Sequence, residues 1–171
     1  MILIAVGANL PGPDGAPPIV TCRAAVRQVA ALPGLGACTL SRWYETAPVP
    51  PSDQPNYING VVRFAGSADP AWLLAQLHEI EAGAGRTRGA RNAARSLDLD
   101  IVDIDGRIRD APDPVLPHPR ADQRAFVLMP LRDVEPGWVH PRLKRSVDAL
   151  LAELPAQDIR PIAEPGTTDC A

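Results

Sequence analysis

The 171-residue chain has a single lysine, Lys144, within a Lys+Arg total of 17. That lysine stands in Leu143-Lys-Arg-Ser146 with no glycine pattern before it, so a Walker A phosphate loop is excluded. No G-x-G-x-x-G occurs, which removes both a Rossmann fingerprint and the glycine loop of protein kinases. His78, His118 and His140 fit no H-E-x-x-H, and there is no G-x-S-x-G. No apolar run approaches the ~18–20 residues of a membrane span. Met1 to Gly7 lacks a basic n-region and a full-length apolar region, so no signal peptide is expected. Cys22, Cys38 and Cys170 are odd in number, far apart and free of C-x-x-C, which predicts reduced thiols in a cytoplasmic protein rather than a disulfide framework or zinc site. The net charge of −3 supplies no broad basic field for nucleic acid or an anionic membrane.

What is present points to a packed, loop-rich domain. Hydrophobic residues make up 46% of the chain, and its 20 prolines are about twice the usual ~5% share, so many loops are stiffened. The length fits one domain, residues 1–171. Ile2 to Val6 reads as a buried strand. Cys22, Val26, Val29 and Ala30 form a helical stripe that Pro33-Gly34 stops. Cys38 to Tyr44 and Tyr57 to Phe64 read as strands around a proline-stiffened loop. Asp69-Pro70 starts a helix carrying Leu73, Leu77 and Ile80, with Gly83 as its expected C′ residue. Leu97 to Ile104 is a strand, and Asp105-Gly106 a hairpin turn into Arg107–Arg109. A short helix near Gln123–Met129 and a Ser146-capped last helix follow. This order predicts an α+β fold: a ferredoxin-like sheet from two βαβ halves, helices on one face, and extra C-terminal elements.

Leu97-Asp-Leu-Asp-Ile101 is the most informative stretch. Strand alternation sends Leu97, Leu99 and Ile101 inward and places Asp98 and Asp100 together on the other face, with α-carbons ~6.5–7 Å apart. Paired carboxylates repel unless a cation sits between them or one takes a proton, and Mg²⁺ bridging to substrate phosphates suits such a pair. A half-exposed strand with two solvated aspartates is the plainer reading of these two residues alone. Arg86, Arg88, Arg91 and Arg95 precede them, uninterrupted by any acid from Ala82 to Leu97. Guanidiniums chelate phosphate oxygens, and beside a metal site they suit transfer of a polyphosphate. On charge alone a solvated basic loop or an RNA contact is the lesser alternative for the arginine stretch.

Four stretches in order then resemble the 6-hydroxymethyl-7,8-dihydropterin pyrophosphokinases of folate biosynthesis. They are Ala5-Val-Gly-Ala-Asn-Leu10; Tyr44-Glu-Thr-Ala-Pro-Val49 with Asp53-Gln-Pro-Asn-Tyr-Ile-Asn59; Arg95-Ser-Leu-Asp-Leu-Asp-Ile101; and Leu116-Pro-His-Pro-Arg120 with Arg124-Ala-Phe126. The resemblance implies transfer of pyrophosphate from ATP to the pterin's hydroxymethyl oxygen, with release of AMP. It implies that Asp98 and Asp100 hold two Mg²⁺ ions, with Arg86 and Arg95 engaging the phosphates during transfer. His78, Glu81, Arg88, Ile101, His118 and Arg124 match ATP-binding positions. Thr46, Ala47, Pro48 and Val49 match the loop lining the pterin pocket; Tyr57 and Phe126 match the aromatic pair around the ring, and Asn59 the amide that reads its edge. Asn92-Ala-Ala94 stands where some members carry Trp-Gly-Pro. The expected partners are ATP and the pterin, with no nucleic acid or membrane, for a monomeric cytoplasmic enzyme. The rival reading is a ferredoxin-like nucleotide- or pterin-binding module without catalysis.

Overall fold

In the computed structural model, which describes residues 1–85, 95–163 and 168–169, strands and helices follow the hydrophobic pattern closely. The elements run β1 (Ile2–Ala8), α1 (Pro18–Ala30), β2 (Leu35–Leu40), β3 (Tyr44–Thr46), β4 (Tyr57–Gly66), α2 (Pro70–Gly83) and β5 (Asp98–Ile104). A 3₁₀ turn (Ala121–Gln123), α3 (Ala125–Val134), α4 (Val147–Glu153), β6 (Ile159–Pro161) and β7 (Thr168–Asp169) complete the described chain. The pairings are antiparallel, in the order β5-β1-β4-β2-β7, with β3 beside β4 and β6 beside β3.

Period-2 alternation splits the sheet residues between two cores. Ile2, Ile4, Val6, Val62, Phe64, Leu99 and Ile101 pack under α1 and α2 with Cys22, Val26, Val29, Leu73 and Leu77. Leu3, Val61 and Val102 face the other way, against Val127, Leu128 and Leu131 of α3 and Val147 and Leu150 of α4. The expectation of helices on one face is therefore corrected: α1 and α2 cover one face, and the C-terminal α3 and α4 cover the other. Hydrophobic patterning within a strand shows that both faces are buried, but not which helix reaches which face.

Local signals are honoured with a few shifts. Asp69 caps α2 by accepting from the Trp72 amide at 2.9 Å, and Ser146 caps α4 by accepting from Ala149 at 3.2 Å. The expected C′ role of Gly83 falls instead to Gly85, whose φ of 79° ends the helix two residues later. The stretch expected as one strand from Cys38 to Tyr44 is broken at Ser41–Trp43, because Ser41 Oγ itself accepts from the Val61 amide at 3.0 Å. Asp105 and Gly106 form a turn with φ of 52° and 66°, but the chain does not return along β5. Arg109 instead bridges to Leu116, inside the proline-rich segment.

The cysteine expectation is also corrected. Cys38 is disulfide-bonded, while Cys22 is a free, buried thiol whose pKa is pushed up to about 12 by burial. Among the described residues, no helix is long and apolar enough to cross a membrane.

Candidate active site

Strand register assembles the site in rows across the sheet. Tyr44 of β3 pairs with Asn59 of β4, Asn59 with Gly7 of β1, and Gly7 with Asp98 of β5. One row thus reads Tyr44, Asn59, Gly7, Asp98, all on the α3 face, and the neighbouring row reads Val61, Ala5, Asp100. At ~4.8 Å per strand, Asn59 and Asp98 stand about 10 Å apart across the floor that Gly7 leaves open. A β-carbon added at Gly7 would meet Asn59 Oδ1 at 2.8 Å, so this floor admits no side chain as built.

Over it opens a cavity of about 310 Å³ whose lining includes Thr46, Ala47, Pro48, Val49, Tyr57, Asn59, Arg95, Asp98, Arg124 and Phe126. All seven residues expected to contact a pterin are therefore brought together. Asn59 is buried, and its Nδ2 donates to Thr46 Oγ1 at 2.8 Å, which fixes the amide's orientation. Tyr57 donates its hydroxyl to Gln54 Oε1 at 3.0 Å, and burial raises its pKa.

The cavity's other end is charged. The Arg95 guanidinium is ion-paired with Asp98. Burial works against its charge, but Asp98 and Asp100 outweigh that and hold its pKa above the ordinary value. Arg124 lies 3.5 Å from Asp100 and stacks over the Phe126 ring at 5.5 Å, joining the acidic end to the aromatic wall. Burial, followed by the Arg120 charge, lowers the Arg124 pKa. His118 Nε2 is 3.6 Å from Asp100, while Nδ1 accepts from the Arg120 amide at 3.1 Å; that acceptor role places the neutral ring's proton on Nε2. Burial lowers the His118 pKa, favouring this neutral form.

The donor set fits a hard divalent cation completed by substrate. Asp98 and Asp100 side chains are 25% and 34% exposed, on one face, with cationic rather than acidic neighbours. Among the described residues no cluster of three or more His, Cys, Asp or Glu could enclose a metal. Two carboxylates whose remaining partners come from phosphates and water is the pattern Mg²⁺ uses.

A family model for 7,8-dihydro-6-hydroxymethylpterin-pyrophosphokinase (HPPK) matches residues 3–136. This chain belongs to the HPPK family. It is 32% identical over 161 residues to the 2-amino-4-hydroxy-6-hydroxymethyldihydropteridine pyrophosphokinase of Synechocystis, covering 94% of this chain and 80% of that protein. The enzyme of the same name from Pseudomonas aeruginosa is 35% identical over 158 residues, covering 92% and 94%. A 92-residue stretch is 45% identical to the Arabidopsis thaliana folate synthesis bifunctional protein; it covers 53% of this chain and 16% of that longer protein.

Not every residue matched to an HPPK role sits in the cavity. His78 lies exposed on α2, and the Ile101 side chain is packed in the core beneath the sheet. Glu81 is buried, and its carboxylate accepts from the Leu99 amide at 2.7 Å. The structure thus gives it a place under β5, at Leu99 between the two aspartates, where it supplies an acceptor that no strand among the described residues provides at this edge. Arg86, Arg88 and Arg91 fall outside the described residues, and so does the middle of the arginine loop.

Residues given no role from sequence also belong to the site. Gly7, Gln54, Pro50 and Ser52 line the cavity. Asn9 is buried; its Nδ2 donates to Gln54 Oε1 and to the Pro55 carbonyl, each at 3.1 Å. Its Oδ1 accepts from the Arg95 amide at 2.8 Å. Asn9 and Gln54 lay inside the motif stretches already noted, but a polar side chain in a motif does not disclose that it bonds backbone.

Proposed function

We propose that this chain transfers the pyrophosphoryl group of ATP to the hydroxymethyl oxygen of 6-hydroxymethyl-7,8-dihydropterin, releasing AMP, as a step of folate biosynthesis. The observation that carries this reading is one cavity with two chemically distinct ends. An aromatic and amide slot lies at one end, and Asp98 with Arg95 and Arg124 at the other, where Asp100 lines a small adjoining pocket that shares Gly7, Asp98 and Arg124. Tyr57 and Phe126 offer ring faces, and the Asn59 amide, held by Thr46, offers directional recognition of a polar ring edge. Thr46 through Val49 form the adjoining wall.

Asp98 and Asp100 would hold Mg²⁺, with two ions our expectation, and Mg²⁺ when bound neutralises charge on the triphosphate and orients it. Arg95 and Arg124 add positive charge at the same end; Arg86 and Arg88 are assigned to the phosphates and nucleotide in this reading from the sequence motif alone. His118, neutral, presents an Nε2 donor beside Asp100 and can donate to a phosphate oxygen without adding charge. His78, Glu81 and Ile101 complete the ATP side in this reading, Glu81 acting through β5. The chemistry needs an in-line approach of the substrate hydroxyl to the β-phosphorus; no side-chain nucleophile is required. We read residues 1–171 as one domain, acting as a cytoplasmic monomer in which Mg·ATP is the co-substrate. The strand order β5-β1-β4-β2, with α1 after β1 and α2 before β5, supports a ferredoxin-like core.

The test is formation of AMP and the pterin pyrophosphate from ATP, Mg²⁺ and the pterin. AMP formation that requires both pterin and Mg²⁺ is the expected result. Binding of both ligands without AMP would establish a non-catalytic module and refute the proposal.

A further inference from the structure

Two walls of the aromatic slot come from elements far apart in sequence: Thr46 ends β3, and Phe126 lies in the first turn of α3. Between these elements runs a polar cluster outside the cavity. Tyr44, 1% exposed, donates its hydroxyl to Asp133 Oδ2 at 2.9 Å. Arg42 grips the same carboxylate with both ends of its fork, Nε to Oδ2 at 3.1 Å and Nη2 to Oδ1 at 2.6 Å, and its guanidinium sits 5.5 Å over the Tyr44 ring. Burial first, then Asp133, pushes the Tyr44 pKa up to about 12, so the phenol is a permanent donor.

The geometry aligns this cluster with the slot. Tyr44 and Thr46 are two residues apart on β3 and share a face, and Tyr44 stands in the same cross-sheet row as Asn59. Phe126 and Asp133 are seven residues apart on α3, which puts them on one stripe of the helix about 10.5 Å apart along its axis. A bond from Tyr44 to Asp133 therefore locks the far end of the stripe that presents Phe126 to the strand that presents Thr46. Elsewhere in the described structure α3 meets this face of the sheet through apolar packing of Val127, Leu128 and Leu131 with Leu3, Val61 and Val102, which resists separation more than sliding, and through the Arg63–Glu135 pair at its end.

We propose that Arg42, Tyr44 and Asp133 form a positioning clamp that sets the width of the slot between Phe126 and the Thr46–Asn59 wall, and so tunes affinity for the flat pterin ring. This rests on the assignment of that slot to the pterin. None of the three residues lines the cavity, so their effect is transmitted through helix register.

The experiment measures pterin affinity in the presence of Mg²⁺ and a non-hydrolysable ATP analogue, and analogue affinity separately, for Tyr44→Phe, Asp133→Asn and Phe126→Ala. Arg63→Ala serves as the control, because the Arg63–Glu135 ion pair also ties the sheet to the end of α3, off the Phe126 stripe. Tyr44→Phe and Asp133→Asn are expected to weaken pterin binding about three- to tenfold, within what one charge-assisted hydrogen bond commands, and to leave the analogue within about twofold. Arg63→Ala is expected to lower the melting temperature without this selectivity. Equal loss of both ligands, no loss of either, or the same pterin loss in Arg63→Ala would overturn the clamp. If Phe126→Ala keeps full pterin affinity, the slot assignment itself fails, and the clamp with it. If Phe126→Ala weakens binding while the clamp variants do not, the clamp alone is refuted.

Discussion

Glu81 offers the sharpest test of how the aspartate pair is held. The Leu99 N–H points away from β1 at the sheet edge and is buried, and Glu81 is its acceptor among the described residues, so Glu81 removal orphans it there. Glu81→Ala leaves that donor orphaned, which costs about 1–3 kcal/mol, and removes the 2.7 Å bond itself. A loss of roughly 3 kcal/mol corresponds to a melting temperature lower by about 6–12 °C in a chain of this size. Glu81→Gln keeps an amide oxygen able to face Leu99 and is expected to cost less, about 1 kcal/mol or ~2–4 °C. Because Leu99 lies between Asp98 and Asp100, loosening it should also weaken Mg²⁺-dependent binding of an ATP analogue. Thermal melts, exchange of the Leu99 amide by NMR, and analogue titration with and without Mg²⁺ read the three effects. Were the Ala variant to melt like the parent, or the Gln variant to cost as much as Ala, the surrogate-acceptor argument would be wrong.

Other outcomes follow from the same geometry. Asp98→Asn should lower kcat by about 10²–10³, the scale of removing one electrostatic stabiliser, and should abolish Mg²⁺-enhanced binding of the ATP analogue. Gly7→Ala puts a methyl 2.8 Å from Asn59 Oδ1, so pterin affinity should fall about tenfold or more while the fold persists; calorimetric titration checks this. His118 has a depressed pKa in the fold, so the unfolded chain binds more protons in mildly acidic solution. Its contribution to stability is present above the unfolded value of ~6.5 and lost as pH falls through the folded pKa. Urea midpoints measured from pH 7.5 down to 5 should decline less steeply in His118→Gln than in the parent; identical slopes would refute this.

The sequence by itself determined where the main strands and helices form, because alternation and helical spacing are set by the chain's own periodicity; the break between β2 and β3, the fate of the chain after Asp105-Gly106, and β6 and β7 were not legible in it. It placed Asp98 and Asp100 on one face with Leu97, Leu99 and Ile101 inward, since that needs only two-residue repetition within β5. Motif stretches likewise led to Thr46, Tyr57, Asn59 and Phe126, which the structure gathers around one cavity. Only the tertiary structure decided what depends on register between distant strands. The row that sets Asn59 beside Gly7 and Gly7 beside Asp98 is a product of β4, β1 and β5 pairing across almost a hundred residues. The covering of the second face by α3 and α4, the bonding of Cys38, and the turn of Glu81 toward a strand amide belong to the same class. Each is a contact between segments whose separation along the chain leaves no local trace, so packing and hydrogen-bond satisfaction in the folded state select it.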